Sequence, residues 1–163
     1  MRHIFLACFC ILSVNIFAQN VDIVSNDTTQ QQIVDGIYDI QPQFPGGQEA
    51  LLAYLKNYIR YPRIAEHYGV EGRAVMSFLV NTNGRIKEIS AIDVNITKVH
   101  DARFSTLTVY EQKELKERFA KAFAKELYRA IKAMPRWKPG EQIVGDTRRV
   151  VKVRYTLPIA FSM

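Results

Sequence analysis

Met134-Pro135-Arg136-Trp137-Lys138-Pro139-Gly140 decides how this chain folds. A proline inside a helix removes a hydrogen-bond donor and clashes with the preceding turn, so Pro135 ends whatever helix precedes it. Trp137, the only tryptophan of the 163 residues, is placed two residues later and is read as a core anchor, since burying so large a ring stabilises a small domain by a few kcal/mol. Pro139-Gly140 then turns the chain. Behind this turn, Val151, Val153, Tyr155 and Leu157 alternate with Lys152, Arg154 and Thr156. The two-residue period predicts one long strand over Val150–Ile159, with an apolar face and a basic face.

Before the motif, Leu115, Phe119, Phe123, Leu127, Ile131 and Met134 recur at three- and four-residue spacing, the stripe of a core-facing helix. Thr108 and Glu111 match the capping-box pattern at its start. Glu114/Arg118 and Glu117/Lys121 are four apart and support the helix by about 0.2–0.5 kcal/mol each. Between Val109 and Met134 the helix carries seven Lys or Arg against four Glu, read as a solvated basic face.

The first half repeats this logic. Phe44-Pro45-Gly46-Gly47 opens a helix predicted over Gln48–Tyr58, with Leu51, Leu52, Leu55 and Tyr58 on one face. Tyr61-Pro62 starts a second, shorter helix, which Gly69 closes in the left-handed conformation. Gly72 precedes a strand over Arg73–Val80, Asn81-Thr82-Asn83-Gly84 is a hairpin signal, and a partner strand runs over Arg85–Val94. The order helix-helix-strand-strand-helix-strand predicts an α+β fold in which a small antiparallel sheet of about three strands packs against helices.

Taken in order, Phe44-Pro45-Gly46-Gly47, Tyr61-Pro62, Gly69-Val70-Glu71-Gly72, the Met134–Gly140 motif and the final strand resemble the C-terminal domain of TonB in its Bacteroidetes-type form. The resemblance runs from Phe44 to Phe161 and implies a TonB C-terminal-like domain over 44–163. TonB is the periplasmic arm that carries inner-membrane energy to outer-membrane receptors. Its last strand pairs with a short peptide, the TonB box, at a receptor's N-terminus. By this resemblance the partner-binding positions are Tyr58, Arg60 and Tyr61 beside the Tyr-Pro pair, and Val151, Lys152, Val153, Arg154 and Tyr155 on the last strand. Val153, mid-strand, is where a proline would test such pairing. Two departures stand out. Tyr58 occupies the place of a family glutamine, and Asn95–Tyr110 replaces a short loop with a longer one.

The N-terminus reads separately. Arg2 and His3 precede an apolar run over Ile4–Leu12, and Ala18 closes a polar-to-small stretch, the layout of a secretory signal peptide over residues 1–18. The run is too short for the roughly 20 residues of a spanning helix, although retention would leave an inner-membrane anchor. Both cysteines, Cys8 and Cys10, fall inside it, so the mature chain has no thiol chemistry. Residues 19–43 form a polar flexible leader that pins a short strand near Ile37-Tyr38-Asp39-Ile40. The 26 residues from Gln19 to Phe44 reach about 90 Å stretched and about 28 Å as a coil, too little to carry force between membranes.

The formal charge is +6, and loss of Arg2 leaves 21 basic against 16 acidic side chains, a net of +5. That favours weak contact with acidic surfaces. An exported chain without RNA-binding aromatic signatures is no nucleic-acid binder. His67 and His100 are isolated, Ser77 and Ser90 lack a nucleophile elbow, and Gly46-Gly47 lacks a P-loop lysine. The expectation is a non-enzyme with no cofactor and no metal, which binds the peptide of an outer-membrane TonB-dependent receptor or a related envelope protein. Homodimerisation is left open. The alternative is a cell-envelope binding or structural module without an energy-transducing role.

Overall fold

The computed structural model describes residues 38–163. The expected signal peptide, both cysteines, Ile37 and most of the leader lie outside the described residues. Leu51 and Leu55 are buried on one face of α1 (Gly47–Tyr58), as the periodicity requires. Pro62 caps α2 (Arg63–Tyr68) from one position further out than expected, and Gly69 ends it at φ 59°. The first strand, β1 (Val70–Val80), begins before Gly72 rather than after it. It pairs antiparallel with β2 (Ile86–Val99) and, on its other side, with β5 (Val153–Phe161). The three-stranded sheet therefore has the order β2-β1-β5, with β1 central. The fold is α+β, with a small antiparallel sheet against helices.

Two expectations are corrected. Asn95–Tyr110 is not one long loop. Its first five residues continue β2 and pair with β1 as far as Val70↔Val99. Asp101 then caps the short α3 (Ala102–Ser105), its carboxylate accepting from the Arg103 N–H at 2.8 Å. The final strand is also not continuous. Lys152 breaks it into β4 (Thr147–Val151) and β5, and β4 folds back on β3 (Gly140–Val144) as a separate hairpin. The alternation of Val151 with Val153 is real, but the two residues belong to different sheets.

The long helix α4 (Val109–Lys132) covers one face of the sheet. The full capping box forms at its start: the Glu111 N–H reaches the Thr108 hydroxyl oxygen at 3.3 Å, and the Thr108 N–H donates to Glu111 Oε2 at 2.8 Å. Phe119, Phe123, Leu127, Ala130 and Ile131 are fully buried. The Phe123 ring stacks 4.1 Å from that of Phe161 on β5. Trp137 is 3% exposed, with ring centroids of Tyr155, Phe78 and Phe44 at 5.0, 5.4 and 5.8 Å. Its backbone N–H donates to the Gly84 carbonyl at 2.9 Å, so the β1–β2 hairpin tip rests against the motif that ends α4.

The segment before α1 is tied down as well. Ile40 pairs with Glu141 and Gln43 with Lys138, while Asp39 accepts from the Ile143 N–H at 2.6 Å.

Candidate functional site

β5 is an edge strand, and the backbone pattern fixes which of its polar groups face outward. The Asn81 N–H donates to the Arg85 carbonyl at 3.0 Å, across the hairpin toward β2. Successive residues of a strand direct their N–H and C=O to opposite sides. Val80 therefore faces β5, as do Phe78, Met76 and Ala74. Their partners Val153, Tyr155, Leu157 and Ile159 bond inward. Arg154, Thr156, Pro158 and Ala160 direct their backbone groups away from the sheet. Pro158 agrees with this parity, because a residue without an N–H belongs where the ladder does not need one. Among the described residues no strand pairs with that outer side.

The side chains sort differently. Val153, Leu157, Ile159 and Phe161 are buried, the last three in one core cluster with Phe119, Phe123 and Leu127 of α4, and Tyr155 is half-buried against Trp137. Burial, then the nearby Tyr38, raises the Tyr155 pKa, so the phenol stays neutral at physiological pH. Arg154 is not presented for a partner. Its guanidinium meets Glu88 of β2 at 2.6 Å, across β1, where Leu79 lies between them in the register. A bulge between Ser77 and Leu79 makes this reach feasible. It puts Glu88 at φ 48°, an uncommon angle for a residue with a side chain. Lys152, at the break between β4 and β5, is exposed. Val151 ends β4 opposite Gly140.

Tyr58, Arg60 and Tyr61 lie elsewhere. Tyr61 is 6% exposed, a core residue rather than a contact surface. Its ring packs edge-on against Phe123 and Phe161, and its hydroxyl donates to the Val70 carbonyl. Burial, followed by the charges of Glu71 and Glu66, pushes its pKa up to about 12. Phe161 and Val153 are the two ends of β5, about 26 Å apart at the usual rise per residue. The Tyr61 and Val153 groups are thus not one pocket. Tyr58 is 43% exposed, stacked on Tyr54 at 4.7 Å, with the Arg129 guanidinium 5.5 Å from its ring centre. The Arg60 N–H donates to Glu126 Oε1 at 2.8 Å, and the Arg129 guanidinium holds the same carboxylate at 2.6 Å.

The chain is similar to TonB C-terminal domains. One Helicobacter pylori TonB C-terminal domain is 20% identical, with a TM-score of 0.42 over 73% of this chain and 86% of that one. A second, shorter one from the same organism is 19% identical, with a TM-score of 0.40 over 70% and 90%. The Pseudomonas aeruginosa TonB C-terminal domain is 23% identical, with a TM-score of 0.28 over 64% and 78%. No family model matches the chain, and no curated protein matches it significantly.

Sequence reasoning missed the β3–β4 hairpin, although Gly145-Asp146 between two aliphatic runs is a hairpin signal. Gly145 takes φ 59°, as a two-residue loop can require at its first position. It also missed Glu88 as the partner of Arg154, for which no sequence signal exists. Among the described residues no group of three or more His, Cys, Asp or Glu gathers, and no helix is long and apolar enough to cross a membrane.

Proposed function

We propose that residues 44–163 form a periplasmic peptide-binding domain serving TonB-dependent transport across the outer membrane. An extended segment of a receptor adds as a fourth strand beside β5. The observation that carries this reading is the outer side of β5, left without a strand partner among the described residues. Such an edge supplies main-chain hydrogen bonds, the basis of strand addition. The ordered motifs of the sequence support the transport context. Pro158 sets the register, because it offers a carbonyl and no N–H. The incoming strand pairs best over Arg154 and Thr156, before that gap. Lys152 attracts acidic residues of the peptide, whereas Arg154 contributes backbone alone.

Export places the domain where such receptors end. Residues 1–18 are removed and the mature chain starts near Gln19; N-terminal sequencing that finds Met1 retained in a membrane fraction contradicts this.

Val153 is no longer the position that tests the edge, since its N–H faces β1 and proline there breaks the sheet itself. Thr156→Pro removes an outward N–H two residues from a proline the strand already accepts. Synthetic N-terminal peptides of outer-membrane receptors bind the native protein and lose affinity by at least about tenfold against Thr156→Pro, with unchanged circular dichroism. A folded Thr156→Pro protein that binds these peptides as tightly as the native one excludes strand addition at this edge.

A further inference from the structure

Along a second face of α4, an open groove of about 660 Å³ runs between the helix and Arg60-Tyr61-Pro62. Ala122, Lys125, Glu126, Arg129, Lys132 and Ala133 of α4 line it. Their spacing marks a second helix face, beside the buried stripe of Phe119, Phe123 and Leu127. The stretch covers 11 steps from Ala122 to Ala133, about 16 Å at the helical rise. Small side chains at both ends leave the floor open to Pro62, with the nearly buried Tyr61 beneath it, and Tyr128, 44% exposed, stands at the rim.

The rim is predominantly basic. Arg60, Lys125, Arg129 and Lys132 face the single carboxylate of Glu126, four against one, a net of +3. Arg129 is committed to Glu126 and to the Tyr58 carbonyl. Lys125 has no ion pair among the described residues, and the Lys132 ammonium rests 5.8 Å over the Tyr128 ring. No backbone ladder is on offer here, because the main-chain groups of α4 between its ends are bonded within the helix. An extended strand has nothing to pair with. A segment that brings its own satisfied backbone, and meets the groove through side chains, does.

We propose that this groove docks an acidic amphipathic helix of a partner protein. Aliphatic side chains at three- and four-residue spacing settle over Pro62 and Ala122, and flanking carboxylates meet Arg60, Lys125 and Lys132. The surface is independent of the β5 edge, so one can fail without the other. The probe is a fluorescent helical peptide of about 18 residues, long enough to hold a helix. It carries leucines on one face and glutamates on the others. A twin with lysines in place of the glutamates is the control.

The glutamate peptide should shift the amide resonances of 122–133 and Arg60, and bind at least about tenfold more tightly than the lysine twin. Lys125→Glu with Lys132→Glu, both at the surface, should weaken it by at least about tenfold, while Thr156→Pro leaves it unchanged. Equal binding of the two peptides, resonance shifts confined to β5, or no binding at about 1 mM peptide overturns the proposal. So does loss of the peptide to phosphatidylglycerol vesicles that the double variant no longer binds, which assigns the groove to a lipid surface.

Discussion

At Trp137 three separate parts of the chain meet: the end of α4, the β1–β2 hairpin tip and the half-buried Tyr155 of β5. Trp137→Ala should therefore cost about 3–5 kcal/mol in urea denaturation, as for other deleted core aromatics. Wild-type stability with lost partner binding would move Trp137 to a recognition surface. The indole Nε1 is buried with no hydrogen-bond partner among the described residues. Trp137→Phe removes that cost along with some packing, so it should lose clearly less than the alanine variant. Gly84 is bound to the same contact. At φ 75°, a Cβ there would fall 2.0 Å from the Trp137 carbonyl oxygen, so Gly84→Ala should lose at least about 1 kcal/mol. Trp137 as anchor was legible in the sequence. Its neighbour Gly84 was legible only as a turn residue, because no spacing rule places a hairpin tip against a helix end 50 residues away.

The elements were read with uneven success, and the failures share a cause. α4 was legible because its stripe, its capping box and Pro135 all act locally. Thr108→Ala should cost about 1 kcal/mol, read as a lowered thermal midpoint. Farther along the same helix, Glu126 binds α4 to the α1–α2 connection. Burial alone would raise its pKa, but hydrogen bonds from the Arg129 guanidinium and the Arg60 N–H, with both positive charges, outweigh it and hold the pKa below the usual range. A carboxylate with a lowered folded-state pKa adds stability that is complete above its unfolded value and fades as pH falls through the lowered one. Glu126→Gln should thus be less stable than wild type at pH 7, and the gap should close below the ordinary glutamate range. A gap constant down to strongly acid pH would mean that packing, not charge, is what Glu126 contributes. The last strand was misread as continuous because alternation has a period of two whichever sheet a residue joins. Only pairing separates β4 from β5.

For the whole molecule, the net charge, +5 after loss of Arg2 (21 basic against 16 acidic side chains), attracts acidic partners at long range, and added salt should weaken their binding. Lys152, at the break before β5, and Arg154, within it, respond differently. Lys152→Glu, at an exposed site, should reduce affinity for acidic peptides at low salt with little change in stability. Arg154→Glu sets a carboxylate against Glu88 and should instead lower stability, by about 1 kcal/mol in urea denaturation. Equal stability of the two variants would mean that the bridge across β1 is idle. The candidate edge was legible as a terminal strand. Its outward register was not, since that depends on how β1 is bonded on its far side.

The sequence by itself determined the α+β class, the places of α1, α2 and α4 to within about two residues, the β1–β2 hairpin and the burial of Trp137. Each follows from periodicity, caps, prolines or turn glycines acting within a few residues. Tertiary structure alone decided that Lys152 divides two sheets and that Tyr61 and Val153 are core. It also decided that Arg154 is tied to Glu88, and that Arg60 joins α4 in a basic groove. These are matters of which chain segments are neighbours, set by the burial of one shared core rather than by any local pattern.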